Sequence, residues 1–322
     1  MYANNKAYIK EGTRLSRPLI PTKGLRQGCS LSPTLFNIYL EAVLKKWKAD
    51  CCGMGIPVGQ TTLFTLSFAD DQAVFSQDSY DMKFMLKRLY QHYEQWGLCV
   101  NTKKTEYMVV NSVARFSIHI TEAQEVGQVD AFKYLGTVIT KDERIGATNI
   151  KSRIEQSRKV LGCLNSVWWD KNISARAKKH IGRSMVEAVL CYGCEVWSLN
   201  ADTRRRINAV EMDYLRRGAG VSRLSRVKNE EVRNRMEAEK TIIERIEKRQ
   251  LCWFGHLMRM SEDRWPQRLY KWTPPGTRKR ERPRRSWNEG MGDAMRARRL
   301  SEEDTQDRRG WRLGTGKRPQ AV

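Results

Sequence analysis

The stretch that most constrains the fold is residues 63–76, which reads Leu-Phe-Thr-Leu-Ser-Phe-Ala-Asp-Asp-Gln-Ala-Val-Phe-Ser. Apolar residues lie on both sides of two adjacent carboxylates, Asp70 and Asp71, a pattern typical of two strands joined by a tight turn. Adjacent carboxylates repel each other unless a cation lies between them. A hard divalent ion such as Mg²⁺ suits this pair, because it takes oxygen ligands and leaves room for substrate phosphates. An ordinary surface turn is the alternative, since Ala-Asp-Asp-Gln is common turn composition.

The net charge of the chain indicates which kind of partner it binds. The chain has 59 lysines and arginines against 36 acidic residues, a net charge of +23. This excess favours a polyanionic partner, nucleic acid before membrane. The sequence has no apolar run long enough to span a bilayer and no apolar signal-peptide core, and its eight cysteines are scattered, which suits a reducing compartment. We therefore expect an intracellular protein of the nucleus or cytoplasm that is not secreted.

A glycine-bracketed loop precedes the carboxylate stretch. Gly24 and Gly28 enclose Arg26 and Gln27, and helical spacing follows from Ser32, which stands before a proline. A loop of this kind lets backbone amides approach a ligand closely. Ser32 fits a helix N-cap and the proline fits the first helical turn. A plain junction between a loop and a helix is the alternative interpretation.

The remaining pattern predicts an α+β fold. A second helix should begin at Asp78 or Ser79 and end at Gly97. Short strands alternate up to residue 139, and from about Asn149 onward the apolar period is helical. One long charged helix is expected to begin at Asn229 and to extend through Trp253.

The last part of the chain, from about Arg259, combines tryptophan with a cluster of basic residues. Arginine with interleaved aromatic residues can neutralise phosphates and stack on bases. Prolines argue against a continuous helix, and short helices are expected around 287–295 and after Ser301. A disordered, solubilising tail is the alternative. The candidate nucleic-acid contacts are Arg278, Lys279, Arg280, Arg282, Arg284 and Arg285.

Four motifs, in this order along the chain, resemble the reverse transcriptase of non-LTR (LINE-type) retrotransposons. They are Gly-Leu-Arg-Gln-Gly-Cys-x-Leu-Ser-Pro at 24–33, Phe-Ala-Asp-Asp at 68–71, Asn-x-x-Lys-Thr at 101–105 and Phe-Lys-Tyr-Leu-Gly at 132–136. The resemblance implies the palm and thumb of a right-hand polymerase, an RNA-directed DNA polymerase whose partners are RNA template, DNA primer and dNTPs.

The same resemblance implies a division into domains. Residues 1–145 correspond to a partial palm, in which an antiparallel sheet is accompanied by helices. Residues 146–258 correspond to an all-α thumb and connection. Residues 259–322 form the basic, partly disordered tail that is rich in tryptophan and arginine.

The resemblance also implies residue roles. Asp70 would be a ligand to both Mg²⁺ ions of a two-metal site, and Asp71 would lie beside the metal and the primer end. Lys104 would lie near the pyrophosphate, where an ammonium can stabilise or protonate the leaving group. A surface lysine is the alternative for Lys104. The remaining implied contacts are Arg26, Gln27 and Gly28 with the incoming nucleotide, and Tyr134, Leu135 and Gly136 with the primer end.

One departure from the family pattern concerns the metal site. The family supplies another metal-binding aspartate upstream of the glycine loop, and this sequence has no aspartate before Asp50. Glu11 lies in a different predicted hairpin. We therefore expect an N-terminally truncated copy that is inactive alone, because a two-metal site depends on each carboxylate. A non-catalytic nucleic-acid-binding remnant and an inert pseudogene product are the alternatives.

A zinc site is a further possibility. Cys191 and Cys194 have the spacing of half a tetrahedral site, but no second close pair of cysteine or histidine follows. Apolar residues surround both, which favours two cysteines of the core.

Overall fold

The computed structural model describes residues 6–110, 116–121, 124–141, 145–273 and 286–317. The chain forms two compact units. The N-terminal unit comprises residues 1–109 and 113–129, and the C-terminal unit comprises residues 110–112 and 130–322. Small sheets and many helices together confirm the α+β prediction. Within the described ranges, every helix is too short or too polar to cross a membrane. The division into palm, thumb and tail stays a prediction.

In the N-terminal unit, consecutive strands pair as antiparallel hairpins, and the last three strands form a sheet in which β9 lies between β7 and β8 and runs parallel to β7. The elements are β1 (Lys10–Glu11), β2 (Arg14–Leu15), α1 (Ser32–Asp50), β3 (Ile56–Val58), β4 (Thr61–Leu63), β5 (Thr65–Phe68), β6 (Asp71–Val74), α2 (Ser79–Gln95), β7 (Glu106–Tyr107), β8 (Ile118–Thr121) and β9 (Gln124–Gln128).

The core of the N-terminal unit lies between α1 and α2. Trp47 of α1 is fully buried, and its indole N–H donates to the carbonyl of Met85 in α2 at 2.9 Å. The Trp47 ring also meets Phe64 edge-on, with 6.3 Å between ring centroids. Because Phe64 directly precedes β5, this one side chain joins the helix pair to the β5–β6 hairpin.

The helix ends test the predictions made from local signals. Asp78 caps α2, since its carboxylate accepts from the amides of Tyr80 and Asp81, and Gly97 follows the helix with φ +69°. Both predictions are confirmed. The prediction for Ser32 is wrong, because Ser32 is already the first helical residue and its hydroxyl donates to the carbonyl of Arg26 at 2.7 Å.

In the C-terminal unit, one hairpin is followed by helices. The elements are β10 (Ala131–Tyr134), β11 (Thr137–Thr140), α3 (Ile145–Cys163), α4 (Asn165–Trp169), α5 (Ala175–Ile181), a π-helical segment (Gly182–Glu187), α6 (Ala188–Leu190), α7 (Ala201–Gly218), α8 (Asn229–Arg235), α9 (Ile242–Met258), α10 (Trp265–Lys271), α11 (Trp287–Arg296) and α12 (Arg308–Thr315), with short 3₁₀ segments at Cys194–Val196, Arg223–Ser225 and Glu303–Gln306.

The single long helix predicted from Asn229 through Trp253 is wrong, because the chain turns between α8 and α9. Glu237 adopts a left-handed φ of +51°, which ends the first helix. Thr241 and Glu244 then form a capping box in which each side chain accepts from the other residue's backbone amide. The capping box supplies a new N-terminus, so two helices replace one.

Residues 286–317 fold against α9, and their tryptophans are part of a buried cluster. Trp311 is 2% exposed, and its indole N–H donates to the carbonyl of Leu251 in α9 at 2.9 Å. Trp287 donates in the same way to the carbonyl of Glu195 at 2.9 Å. The helix backbone approaches Trp311 at Gly255, where an added Cβ would lie 2.3 Å from the indole nitrogen. The rings of Trp287 and Trp311 therefore stabilise the fold and are not free to stack on nucleic-acid bases.

We predict that Trp311→Ala lowers the free energy of unfolding by about 3–5 kcal/mol, the usual cost of removing a buried aromatic side chain. Trp169→Ala is the matched control, because Trp169 is 47% exposed in the same unit and should cost about 0.5 kcal/mol or less. Urea titration followed by circular dichroism measures both. Equal stability of the two variants would contradict the packing of residues 286–317 on α9.

Candidate functional site

The two adjacent aspartates lie at the tip of the β5–β6 hairpin. Phe68 pairs with Asp71 across the ladder, so Ala69 and Asp70 form a two-residue turn. Both carboxylates are exposed, and Phe68 beside them is 66% exposed. The apolar residues around the pair therefore leave the carboxylates open to solvent and to a substrate.

The turn at this tip is strained. Ala69 has φ +52°, a left-handed conformation that a β-carbon disfavours by about 1–2 kcal/mol. A two-residue hairpin turn requires a positive φ of this kind, so the conformation of Ala69 follows from the tight β5–β6 connection.

A hydrogen-bond network holds the base of the hairpin. The amide nitrogen of Gln72 donates to the hydroxyl of Thr65 at 3.0 Å, and that hydroxyl donates to the carbonyl of Ala73 at 2.9 Å. The hydroxyl of Tyr93 in α2 donates to the amide oxygen of Gln72. Burial raises the pKa of Tyr93 to about 12, so it remains a donor at neutral pH. Sequence analysis missed Gln72 and Tyr93, although Gln72 directly follows the aspartates and Tyr93 lies on the apolar stripe of α2.

The donor set at the tip fits a magnesium ion that keeps several outer ligands. Mg²⁺ is commonly bound by one or two carboxylates together with water and substrate phosphates. Asp70 and Asp71 offer two adjacent carboxylates on an open surface. Among the described residues, no group of three or more His, Cys, Asp or Glu side chains converges on one point. The chemistry of the two carboxylates therefore fits a magnesium ion.

The glycine-bracketed loop is ordered by its own backbone. Gly24 and Gly28 adopt φ of +97° and +84°, which glycine tolerates and a β-carbon does not. The carbonyl of Arg26 accepts from the amide of Cys29 at 3.3 Å and from Ser32. Arg26, Gln27 and Gly28 are all exposed. The loop leads directly into α1, the helix that carries Trp47.

Lys104 lies in a tight turn between α2 and β7. The carbonyl of Asn101 accepts from the amides of Lys104 and Thr105 at 3.0 and 3.1 Å and from the Thr105 hydroxyl at 3.0 Å. These bonds fix the backbone of the turn at residues 101–105, and the side chain of Lys104 is exposed. The role of Lys104 at a pyrophosphate stays a prediction.

The turn at residues 134–136 belongs to the C-terminal unit. Leu135 and Gly136 have φ of +46° and +76°, as the tight turn between β10 and β11 requires. The Tyr192 hydroxyl donates to the carbonyl of Leu135 at 2.8 Å, and the Arg153 guanidinium donates to the carbonyl of Gly136. Arg153 also lies 4.3 Å from the centre of the Tyr192 ring. Arg153 and Tyr192 thus hold the turn that begins after Tyr134, and no local sequence pattern indicated either.

Two further groups of predicted residues are the basic cluster and the cysteine pair. The basic cluster from Arg278 to Arg285 lies outside the described residues. Cys191 and Cys194 are both buried, and no third metal-ligating side chain joins them within the described part of the chain. Their burial supports the interpretation of both as core cysteines.

Comparisons with known proteins concern mainly the first part of the chain. Residues 3–139 match the sequence profile of the family described as Reverse transcriptase (RNA-dependent DNA polymerase). An uncharacterized transposon-derived protein of Caenorhabditis elegans is 24% identical over 229 residues, which cover 67% of this chain and 79% of that protein. The Pol polyprotein of a type-1 retrotransposable element R2 from Nasonia vitripennis is 28% identical over 149 residues, 43% of this chain. The corresponding polyprotein of element R2DM from Drosophila melanogaster is 26% identical over 140 residues, 40% of this chain.

The matched segment, with its carboxylate hairpin and glycine loop, is that of a reverse transcriptase. Residues 3–139 match the reverse transcriptase family, and the similarity to two R2 retrotransposon polyproteins agrees with the resemblance that the four motifs indicated. The matched region spans 14% and 13% of the two R2 polyproteins, so the activities of those longer proteins are not transferred by the comparison alone.

We predict that Tyr93→Phe lowers the free energy of unfolding by about 1–2 kcal/mol, because the amide oxygen of Gln72 loses its donor. Amide hydrogen exchange in β5 and β6 should accelerate as well. Tyr80→Phe is the matched control, since Tyr80 is 80% exposed on the same helix. If Tyr93→Phe unfolds and exchanges like the wild type, the hairpin does not depend on this bond.

Proposed function

We propose that this chain supplies part of the active site of an RNA-directed DNA polymerase, with Asp70 and Asp71 as its magnesium ligands. The observation that carries the proposal is the hairpin tip, which exposes two adjacent carboxylates inside the segment that matches reverse transcriptases. The partners on this proposal are an RNA template, a DNA primer and dNTPs.

The proposed chemistry is phosphoryl transfer from a dNTP to the primer end. When bound, Mg²⁺ neutralises charge on the attacking and leaving oxygens of such a reaction. Asp70 and Asp71 hold the ion through their carboxylate oxygens. Gln27 and Gly28 line the incoming nucleotide together with Arg26, and the absence of a β-carbon at Gly28 lets the backbone approach it closely.

Two more residue groups complete the proposal. Lys104 stabilises the leaving pyrophosphate or gives it a proton, because an ammonium group is a suitable acid for that step. The turn from Tyr134 to Gly136 holds the primer end, and the Arg153 and Tyr192 contacts keep that turn in one conformation.

We predict that Asp70→Asn weakens binding of Mn²⁺, used as a reporter for Mg²⁺, by at least about tenfold, since losing a direct ligand should cost no less than losing an outer-sphere partner. Water-proton relaxation of the 322-residue chain measures this affinity without requiring turnover. An affinity measurement is needed because we expect the chain alone to have little or no polymerase activity. Any template-dependent dNTP incorporation should fall by about 10²-fold or more in the same variant.

Glu125→Gln is the matched control for metal binding, because Glu125 is an exposed carboxylate of β9 in the same unit. It should bind Mn²⁺ like the wild type. If the wild type and Asp70→Asn bind Mn²⁺ with equal affinity, the hairpin is not part of a metal site. Robust incorporation by the chain alone, abolished in Asp70→Asn, would keep the metal role and overturn the expectation of inactivity.

The net charge of +23 favours a second candidate, a non-catalytic nucleic-acid-binding role in which the basic tail contacts phosphates. On this candidate the carboxylate hairpin is a remnant without chemistry. On this second candidate the basic tail supplies the affinity for nucleic acid, whereas the first candidate concerns catalysis at the carboxylate hairpin.

We predict for this second candidate that changing all six basic residues of the tail cluster to Gln weakens RNA binding and flattens its salt dependence. Each lost phosphate contact should reduce the slope of log K against log salt by about 0.7–0.9. Asp70→Asn, which removes no positive charge, should leave RNA affinity unchanged. Filter binding at several salt concentrations measures both. An unchanged slope after neutralisation would exclude the tail as the main phosphate contact. The cluster is Arg278, Lys279, Arg280, Arg282, Arg284 and Arg285.

A further inference from the structure

The C-terminal unit has an open cavity of about 850 Å³ along the exposed face of α9. Six residues of α9 line it: Arg245, Lys248, Arg249, Cys252, Trp253 and His256. The opposite face of α9 is buried in the core, so the helix presents one apolar and one open side. A volume of this size is typical of sites for small organic ligands or a few nucleotides.

Trp253 is the unusual member of this face. It is half-buried, whereas Trp168 and Trp311 in the same unit are almost wholly buried. Within the described part of the chain, Trp253 belongs to none of the hydrophobic clusters. Its ring lies 5.7 Å from the ring of His256, which is exposed. A large aromatic surface is therefore open to the cavity on the polar side of an amphipathic helix.

The positive charges of the cavity differ in their availability. Arg245 is neutralised within the fold, because its guanidinium donates to Glu187 and Glu211 at 2.6 Å each. Lys248 and Arg249 are exposed on the same helix face as Trp253, and Arg249 also donates to the carbonyl of Cys191 at 3.4 Å. Arg183, also exposed, comes from the neighbouring π-helical segment. The cations nearest in sequence to Trp253 thus lie one turn of α9 away from it.

Three carboxylates also line the cavity, and they restrict the ligand. Glu195, Glu237 and Glu239 come from segments outside α9. Glu237 pairs with Lys179 at 3.4 Å. A ligand that was only a polyanion would meet repulsion from these groups. A ligand with both a phosphate and an uncharged ring that donates hydrogen bonds fits the mixture of cations, carboxylates and aromatic surface better.

We propose that this groove binds single-stranded nucleic acid, with a base stacked on Trp253 and the adjoining phosphates paired with Lys248 and Arg249. Stacking of a base on an aromatic side chain together with backbone contacts to cations is the general mode of single-strand binding. The site is independent of the metal proposal, because all of its residues belong to the C-terminal unit and none takes part in the carboxylate hairpin.

The native chain allows a footprint of this site. Cys252 lines the cavity and is exposed, and Cys163 is exposed elsewhere in the same unit. Saturating oligo(dT) of about twelve nucleotides should slow alkylation of Cys252 and leave Cys163 unaffected, with both rates read by mass spectrometry. Asp70→Asn should give the same footprint, so failure of the metal proposal would leave this inference intact. An unprotected Cys252 would overturn it.

Three comparisons test the role of stacking. Trp253→Ala should weaken oligo(dT) binding by about 5- to 150-fold, the usual range for loss of one stacked base. Trp253→Phe should retain most of the affinity, and Trp169→Ala should bind like the wild type. Inorganic polyphosphate should protect Cys252 less well than oligo(dT) at equal charge. Equal protection by polyphosphate, or an equal loss of affinity in Trp169→Ala and Trp253→Ala, would contradict base stacking in the groove.

Discussion

The candidate site depends on the burial of one side chain, Trp47. Its indole N–H is satisfied by the carbonyl of Met85, and its ring meets Phe64 immediately before β5. These contacts combine α1, α2 and the β5–β6 hairpin into one packed body, and loss of such a tryptophan would cost about 3–5 kcal/mol. The hairpin that extends from this packed body exposes both aspartates, with Ala69 in the left-handed conformation that its two-residue turn requires.

The C-terminal unit uses α9 in a comparable way. One face of this helix receives Trp311, whose ring contacts the backbone at Gly255, and the other face carries the half-exposed Trp253. Composition alone treats the tryptophans of this region as equivalent aromatic groups. Packing separates them, because Trp311 is required by the core whereas Trp253 lines the open cavity beside Lys248 and Arg249. The basic, tryptophan-rich character of the region thus reflects both folding and a surface available for a ligand.

Local signals predicted much of this structure. Asp78 and Gly97 marked the ends of α2 because a cap and a left-handed glycine act within a few residues. The order of four short motifs identified the family. The prediction for Ser32 failed because α1 begins one residue earlier than the cap pattern indicates. The break before α9 was not predicted because the sequence there is a continuous run of charged helix formers. Contacts between distant residues, such as Tyr93 with Gln72, have no local pattern and become visible only in the folded chain.

The most direct measurement of the central claim is anomalous diffraction from crystals of the chain soaked with Mn²⁺ and a dNTP. Manganese prefers the same octahedral oxygen environment as magnesium and can be located by its own scattering. If the two aspartates hold the metal, an anomalous peak should lie at the tip of the β5–β6 hairpin, about 2.1 Å from carboxylate oxygens of Asp70 or Asp71. Manganese bound at other carboxylates, with no peak at the hairpin tip, would contradict a metal site at Asp70 and Asp71.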